Sequence, residues 1–110
     1  MASIRRTIRL YDAVAEGTGD WVALDYRYDD IAASRPLRVV LAAGDTLTLQ
    51  GILKDNIGID KSFLTTLLAE DISTLKVYTQ SEVDVLDGTW SYLRAIKTGT
   101  AGKGILEGNI

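Results

Sequence analysis

The stretch Leu86–Gly104, LDGTWSYLRAIKTGTAGKG, carries the densest strand signal in the chain. The Asp87-Gly88 pair reads as a turn, Thr89 to Lys97 as a strand, and the Gly/Thr-rich run behind them as a loop. Side chains on a strand alternate between faces, so Trp90, Tyr92 and Ile96 are expected on one side and Leu93 and Ala95 on the other. Apolar residues on both faces predict an interior strand, packed above and below, at the centre of the fold.

The same alternation recurs on either side of this stretch. Ser3–Leu10 places Ile4, Ile8 and Leu10 opposite Arg5, Thr7 and Arg9, with Arg6 out of phase. Trp21–Tyr28 sets Val22, Leu24, Tyr26 and Tyr28 against Asp25 and Arg27. Between these two, Glu16–Asp20 (EGTGD) reads as a turn cluster. The single proline, Pro36, cannot donate to a ladder, so a strand start or an edge is expected there. Leu37, Val39 and Leu41 are in phase, as are Leu47 and Leu49 between Thr46, Thr48 and Gln50, and the intervening Gly44-Asp45 turn predicts a hairpin. Ser62–Ile72 fits a helical stripe through Phe63, Leu64, Leu67 and Leu68, but its threonines and its setting among strands favour an extended run. Leu75–Thr79, Glu82–Leu86 and the tail through Ile105 and Leu106 complete the set. Seven to nine short strands with at most one short helix predict an all-β, antiparallel β-sandwich or jelly roll, one domain over residues 1–110. Its expected core includes Trp21, Leu47, Leu49, Trp90, Tyr92, Leu93, Arg94 and Ile96, with Arg94 held by a carboxylate such as Asp25 or Asp87.

Composition bounds the chemistry. The chain has 110 residues, 46% apolar and 25% charged, in the range of a globular domain able to build a core without metal or disulfides. It has no cysteine, which removes disulfides, thiol catalysis and Cys-type zinc sites. It has no histidine either, so the commonest general base and metal ligand is missing. The net charge of −3 argues against a nucleic-acid partner. Arg5, Arg6 and Arg9 interrupt the N-terminus, which therefore does not read as a secretory signal. The apolar run Val39–Ala43 is far too short to cross a membrane. A soluble product made inside a cell, with no membrane contact, is expected.

Three constellations could carry chemistry. Gly99–Gly104 (GTAGKG) is glycine-rich but lacks Walker spacing and a following helix, so a mobile turn is expected rather than a phosphate site. The acidic groups Asp29/Asp30, Asp55/Asp60, Glu70/Asp71 and Asp84/Asp87 sit mostly in predicted turns, where aspartate hydrogen-bonds the backbone, and they read as solvated carboxylates. Trp21, Tyr26, Tyr28, Tyr78, Trp90 and Tyr92 could form a sugar-stacking plane, although aromatics at period two belong more often to a core. No catalytic, cofactor-binding or metal-binding residues are assigned, and the chain is expected not to be an enzyme. Arg5, Arg6 and Arg9 read first as a solvated strand face; the sharper alternative is a basic N-terminal arm, over residues 1–10, that could dock on an acidic partner surface.

The runs DTLTLQG (Asp45–Gly51) and LDGTWSYLRAIKTGTAG (Leu86–Gly102) resemble small β-sandwich structural proteins of tailed bacteriophage virions, most of all capsid cement (decoration) proteins. Trp90, Tyr92, Arg94 and Lys97 carry most of the likeness, which covers mainly Val39–Leu53 and Leu86–Leu106. The resemblance implies a homo-oligomer, most simply a trimer, assembled in the host cytoplasm, which sits on the capsid surface and braces junctions between major capsid protein subunits. It also leaves open a tail, adaptor or fibre component with a carbohydrate-binding or assembly role.

Overall fold

The computed structural model describes residues 7–24, 35–52, 71–87 and 90–109. The second half of the predicted strand Trp21–Tyr28, all but the end of the ambiguous Ser62–Ile72, and Arg5 and Arg6 lie outside the described residues.

The described residues form nine strands in two antiparallel sheets. The first sheet holds β1 (Thr7–Ala13), β9 (Gly104–Asn109), β4 (Arg35–Val40) and β7 (Glu82–Leu86), in that order. The second is ordered β2 (Gly17–Thr18), β8 (Tyr92–Thr98), β5 (Thr46–Ile52), β6 (Ser73–Tyr78), with β3 (Val22–Ala23) also paired to β8. The pairing β1·β9, β2 and β3·β8, β4·β7 and β5·β6 is that of one long antiparallel ribbon folded back on itself. The further ladders β4·β9 and β5·β8 join its turns side by side. A ribbon wound into two facing sheets is a jelly roll, one of the two predicted architectures.

Inward residues of both sheets make the core: Leu10, Leu37, Val39, Leu47, Leu49, Tyr78, Leu86, Leu93, Ala95 and Leu106, with Leu24 and Leu41 from the connections. Each leucine or valine among them contributes about 1.5–3 kcal/mol by leaving water. β8 lies between β5 on one side and β2 and β3 on the other, the interior position expected of it.

Several local expectations change. The predicted hairpin at Gly44-Asp45 is instead an arch: β4 lies in one sheet and β5 in the other. Asp45 N–H closes the turn onto Ala42 C=O at 3.1 Å, and the in-phase leucines and valines of both strands meet across the core. The pattern of two strands around a turn is the same in both arrangements; which sheet each strand joins is decided by the later strands β7, β8 and β9. The turn cluster EGTGD supplies β2, because Gly17 and Thr18 pair with Lys97 and Ile96 and Gly19 N–H bonds Ala95 C=O at 2.8 Å. The strand expected from Thr89 begins at Tyr92, after an irregular step in which Ser91 bonds the ends of both neighbours. Trp90 therefore packs on the inner cluster instead of sharing a face with Tyr92. Gly51 makes room for it: a Cβ there would lie 2.9 Å from the indole. Pro36 is the second residue of β4, where β7 is already paired and the β9 ladder has not begun. Residues 7–10 of the expected N-terminal arm are part of β1, hydrogen-bonded into the first sheet.

Candidate functional site

Alternation along three adjacent strands brings one row of side chains onto the outer face of the first sheet. Arg9 of β1 is the register partner of Glu107 in β9, and Glu107 is the partner of Arg38 in β4. Glu107 accepts Arg9 Nε at 3.1 Å and Arg38 Nη1 at 2.7 Å. Arg9 Nη1 also donates to Asp12 Oδ2 at 2.6 Å, and Lys103 Nζ lies 3.0 Å from Asp12 Oδ1. The result is a continuous strip, Lys103–Asp12–Arg9–Glu107–Arg38, of three cations against two carboxylates. The cations stand more than half exposed while Glu107 keeps 13% of its side-chain surface, so the strip presents positive charge outward. Arg38, then Arg9, holds the Glu107 carboxyl below its ordinary range; Lys103, then Arg9, does the same for Asp12. Both stay ionised well into acid. Exposed pairs of this kind add little to stability.

Beside the strip lies a groove of about 300 Å³ lined by Thr7, Pro36, Leu37, Arg38, Val83, Glu107 and Gly108. Val83 and Val85 of β7 continue its apolar wall as exposed side chains. Shape, apolar surface and charge thus meet on one face.

The outer face of the second sheet differs. Arg94 donates to its register partner Gln50 at 2.8 Å and stacks over the Trp21 ring at 4.3 Å. Half-burial lowers its pKa. Among the described residues its partners are thus an amide and an indole; Asp25 lies outside them. A row of register partners, Thr18, Ile96, Thr48 and Val77, crosses the same sheet without a charge.

At one end of the sandwich, the loop after β8 is pinned from inside. Lys97 is buried and donates from Nζ to Asp45 Oδ2 at 3.1 Å, Val14 C=O at 2.8 Å and Gly99 C=O at 2.5 Å. Asp45 accepts the N–H groups of Ala101 and Gly102 at 3.1 and 3.2 Å. These bonds, the Ala101 N–H foremost, outweigh burial and lower its pKa. Gly99 sits at φ +90°, and a Cβ on it would fall 2.2 Å from Asp45 Oδ1. GTAGKG, expected to be a mobile turn, is a clamped one.

Among the residues singled out from sequence, Arg9 joins the strip, whereas Arg5 and Arg6 lie outside the described residues. Leu47, Leu49 and Leu93 are in the central core, and Tyr92 is buried on the opposite face of β8. Trp90 packs against the core from its margin. Trp21, Arg94 and Ile96 are half-buried on the outside of the second sheet and do not belong to the core. Sequence reasoning passed over Asp12, Arg38, Lys103 and Glu107. The alternation Leu37-Arg38-Val39 marked Arg38 as outward, but nothing local showed that Arg9 and Glu107 would stand beside it. Asp45 and Lys97 were missed as a pair because both types are expected at the surface. Asp84, read as a solvated turn carboxylate, lies within β7 and accepts the Tyr78 hydroxyl at 2.8 Å.

Among the described residues no cluster of three or more His, Cys, Asp or Glu could hold a metal ion, and no helix is long and apolar enough to cross a membrane. No family model, curated protein or solved structure matches the chain.

Proposed function

We propose that the protein is a non-enzymatic structural component of a tailed-phage virion, a capsid cement protein. It would brace junctions between major capsid protein subunits through the outer face of its first sheet. The observation that carries this reading is the juxtaposition of the Lys103–Asp12–Arg9–Glu107–Arg38 strip with the apolar groove along Pro36 and Val83. Such a face offers charge complementarity and apolar contact to a protein surface. The resemblance in Asp45–Gly51 and Leu86–Gly102 is what favours a tailed-phage particle in this reading. A small oligomer, most simply a homotrimer, would place copies of the face around a local symmetry axis of the shell.

The carbohydrate-binding alternative has less support. Tyr78 and Tyr92 are buried, Trp90 packs on the core, and one face of Trp21 is covered by Arg94. Mixing purified protein with matured capsids tests the proposal. Saturable binding and a higher capsid melting temperature are expected, and both should weaken in Arg9→Glu and Arg38→Glu. Absence of binding, or presence of the protein only in tails, would sink it; a glycan array tests the alternative.

A further inference from the structure

A sheet edge exposes unpaired N–H and C=O groups that any extended chain can join. Among the described residues, three of the four edges are broken. β2 has two residues. β1 carries an extra residue, Leu10, between the pairs Arg9↔Glu107 and Tyr11↔Leu106. β6 carries one too, Leu75, between Leu49↔Lys76 and Gln50↔Thr74. Bulges of this kind twist an edge away from regular pairing.

β7 has no such break. Its pairing with β4 runs unshifted from Arg35↔Leu86 to Val39↔Glu82. It also exposes Val83 and Val85, at 77% and 52%, on one face. This is the edge most open to a second strand, and its protection is chemical. Asp84 Oδ1 accepts the N–H of Val85 at 2.8 Å. The Val85 N–H is thus occupied by the side chain of the residue before it. Asp84 is itself held from the other sheet: its Oδ2 accepts the buried Tyr78 hydroxyl at 2.8 Å and lies 3.5 Å from Lys76 Nζ.

We propose that Asp84 is an edge guard that prevents β7 from pairing with β7 of a second copy of this chain. The sequence Glu82-Val83-Asp84-Val85-Leu86 is self-complementary in an antiparallel pair centred on Asp84. Val83 would then face Val85 of the second copy, and Val85 its Val83, covering four exposed valines. Asp84 opposes this twice. It has already taken the N–H that the new ladder needs, and the pairing sets two Asp84 carboxylates directly opposite each other, which is unfavourable. The inference does not depend on the capsid proposal, since it concerns an association that the protein avoids in any setting.

The test compares molar mass by light scattering for wild type, Asp84→Ala and the double variant Val83→Lys/Asp84→Ala at one concentration. Asp84→Ala, with a wild-type circular dichroism spectrum, is expected to double the wild-type mass or exceed it. The added lysine is expected to return it to the wild-type value. Tyr78→Phe, which loses the hydroxyl contact but leaves the Val85 N–H engaged, is expected to keep wild-type mass. A folded Asp84→Ala of unchanged mass overturns the proposal. So does association that Val83→Lys leaves intact, because it would then run through another surface. Should Asp84→Ala fail to fold, amide exchange in wild type decides. The Val85 N–H is expected to exchange at least tenfold more slowly than the Val83 N–H on the same edge, and equal rates would rule the guard out.

Discussion

Two of the lysine–aspartate contacts among the described residues are nearly equal in length: Lys97–Asp45 at 3.1 Å and Lys103–Asp12 at 3.0 Å. Their surroundings give them different work. Lys97 and Asp45 keep 0% and 2% of their side-chain surface, and every remaining bond of the pair goes to backbone. Lys103 and Asp12 belong to an open strip whose cations remain solvated. A buried pair stabilises little by existing, yet it costs heavily to break, because one charge is left without a partner or water. An exposed pair can be broken freely and stays available to a partner. Distance alone does not tell a charge pair that is part of the scaffold from one that stands in solvent.

The sharpest way to break this contrast is Lys97→Met, which strands Asp45 in the interior. A loss of about 3–5 kcal/mol in urea unfolding is expected. A loss under 1 kcal/mol would mean that water reaches Asp45. Gly99→Ala attacks the same clamp through the backbone, forcing a left-handed residue and a contact with Asp45. Roughly 2–3 kcal/mol is expected from the same unfolding curves. Arg94→Met removes the Gln50 bond and the Trp21 stack at a half-exposed site, and about 1–2 kcal/mol is expected.

Acid acts more gradually. Asp12, Asp45, Asp84 and Glu107 all have folded-state pKa values below their ordinary ones. Their contribution is complete above the unfolded-chain values near pH 4 and is lost as pH falls through the lower folded ones. The melting temperature should hold from pH 7 to about 5 and then fall toward pH 2. Tyr78 is shifted the other way, raised by burial first and by Asp84 second. Its contribution persists to about pH 10 and is lost above that. Arg9→Gln and Arg38→Gln have the smallest expected effect, leaving the melting temperature within roughly 3 °C of wild type. If either cost as much as Arg94→Met, the strip would be part of the scaffold and not a reading surface.

The same division explains what could be read from sequence. Period-two runs such as Leu37–Leu41 and Thr46–Gln50 identified strands and their inward faces, because alternation is a local consequence of the pleat. The arch at Gly44-Asp45 was not legible, since a turn between two strands looks alike whether it closes a hairpin or spans two sheets. The strip was hidden for a related reason: Arg9 and Glu107 meet only through register between strands 98 residues apart. Lys97 was hidden by its type. The cue that existed was indirect: a lysine in phase with the apolar Leu93 and Ala95, followed by a glycine loop that its aspartate partner could clamp.

The ladder between β1 and β9, with Thr7 opposite Asn109, has a consequence for how the chain is made. β9 is also the neighbour of β4, so β1 and β4 both wait for a strand made some 65 residues or more after them. On the ribosome the first sheet cannot close until nearly all of these residues have emerged. Nascent chains arrested before Gly104 should therefore lack a closed first sheet and remain sensitive to protease.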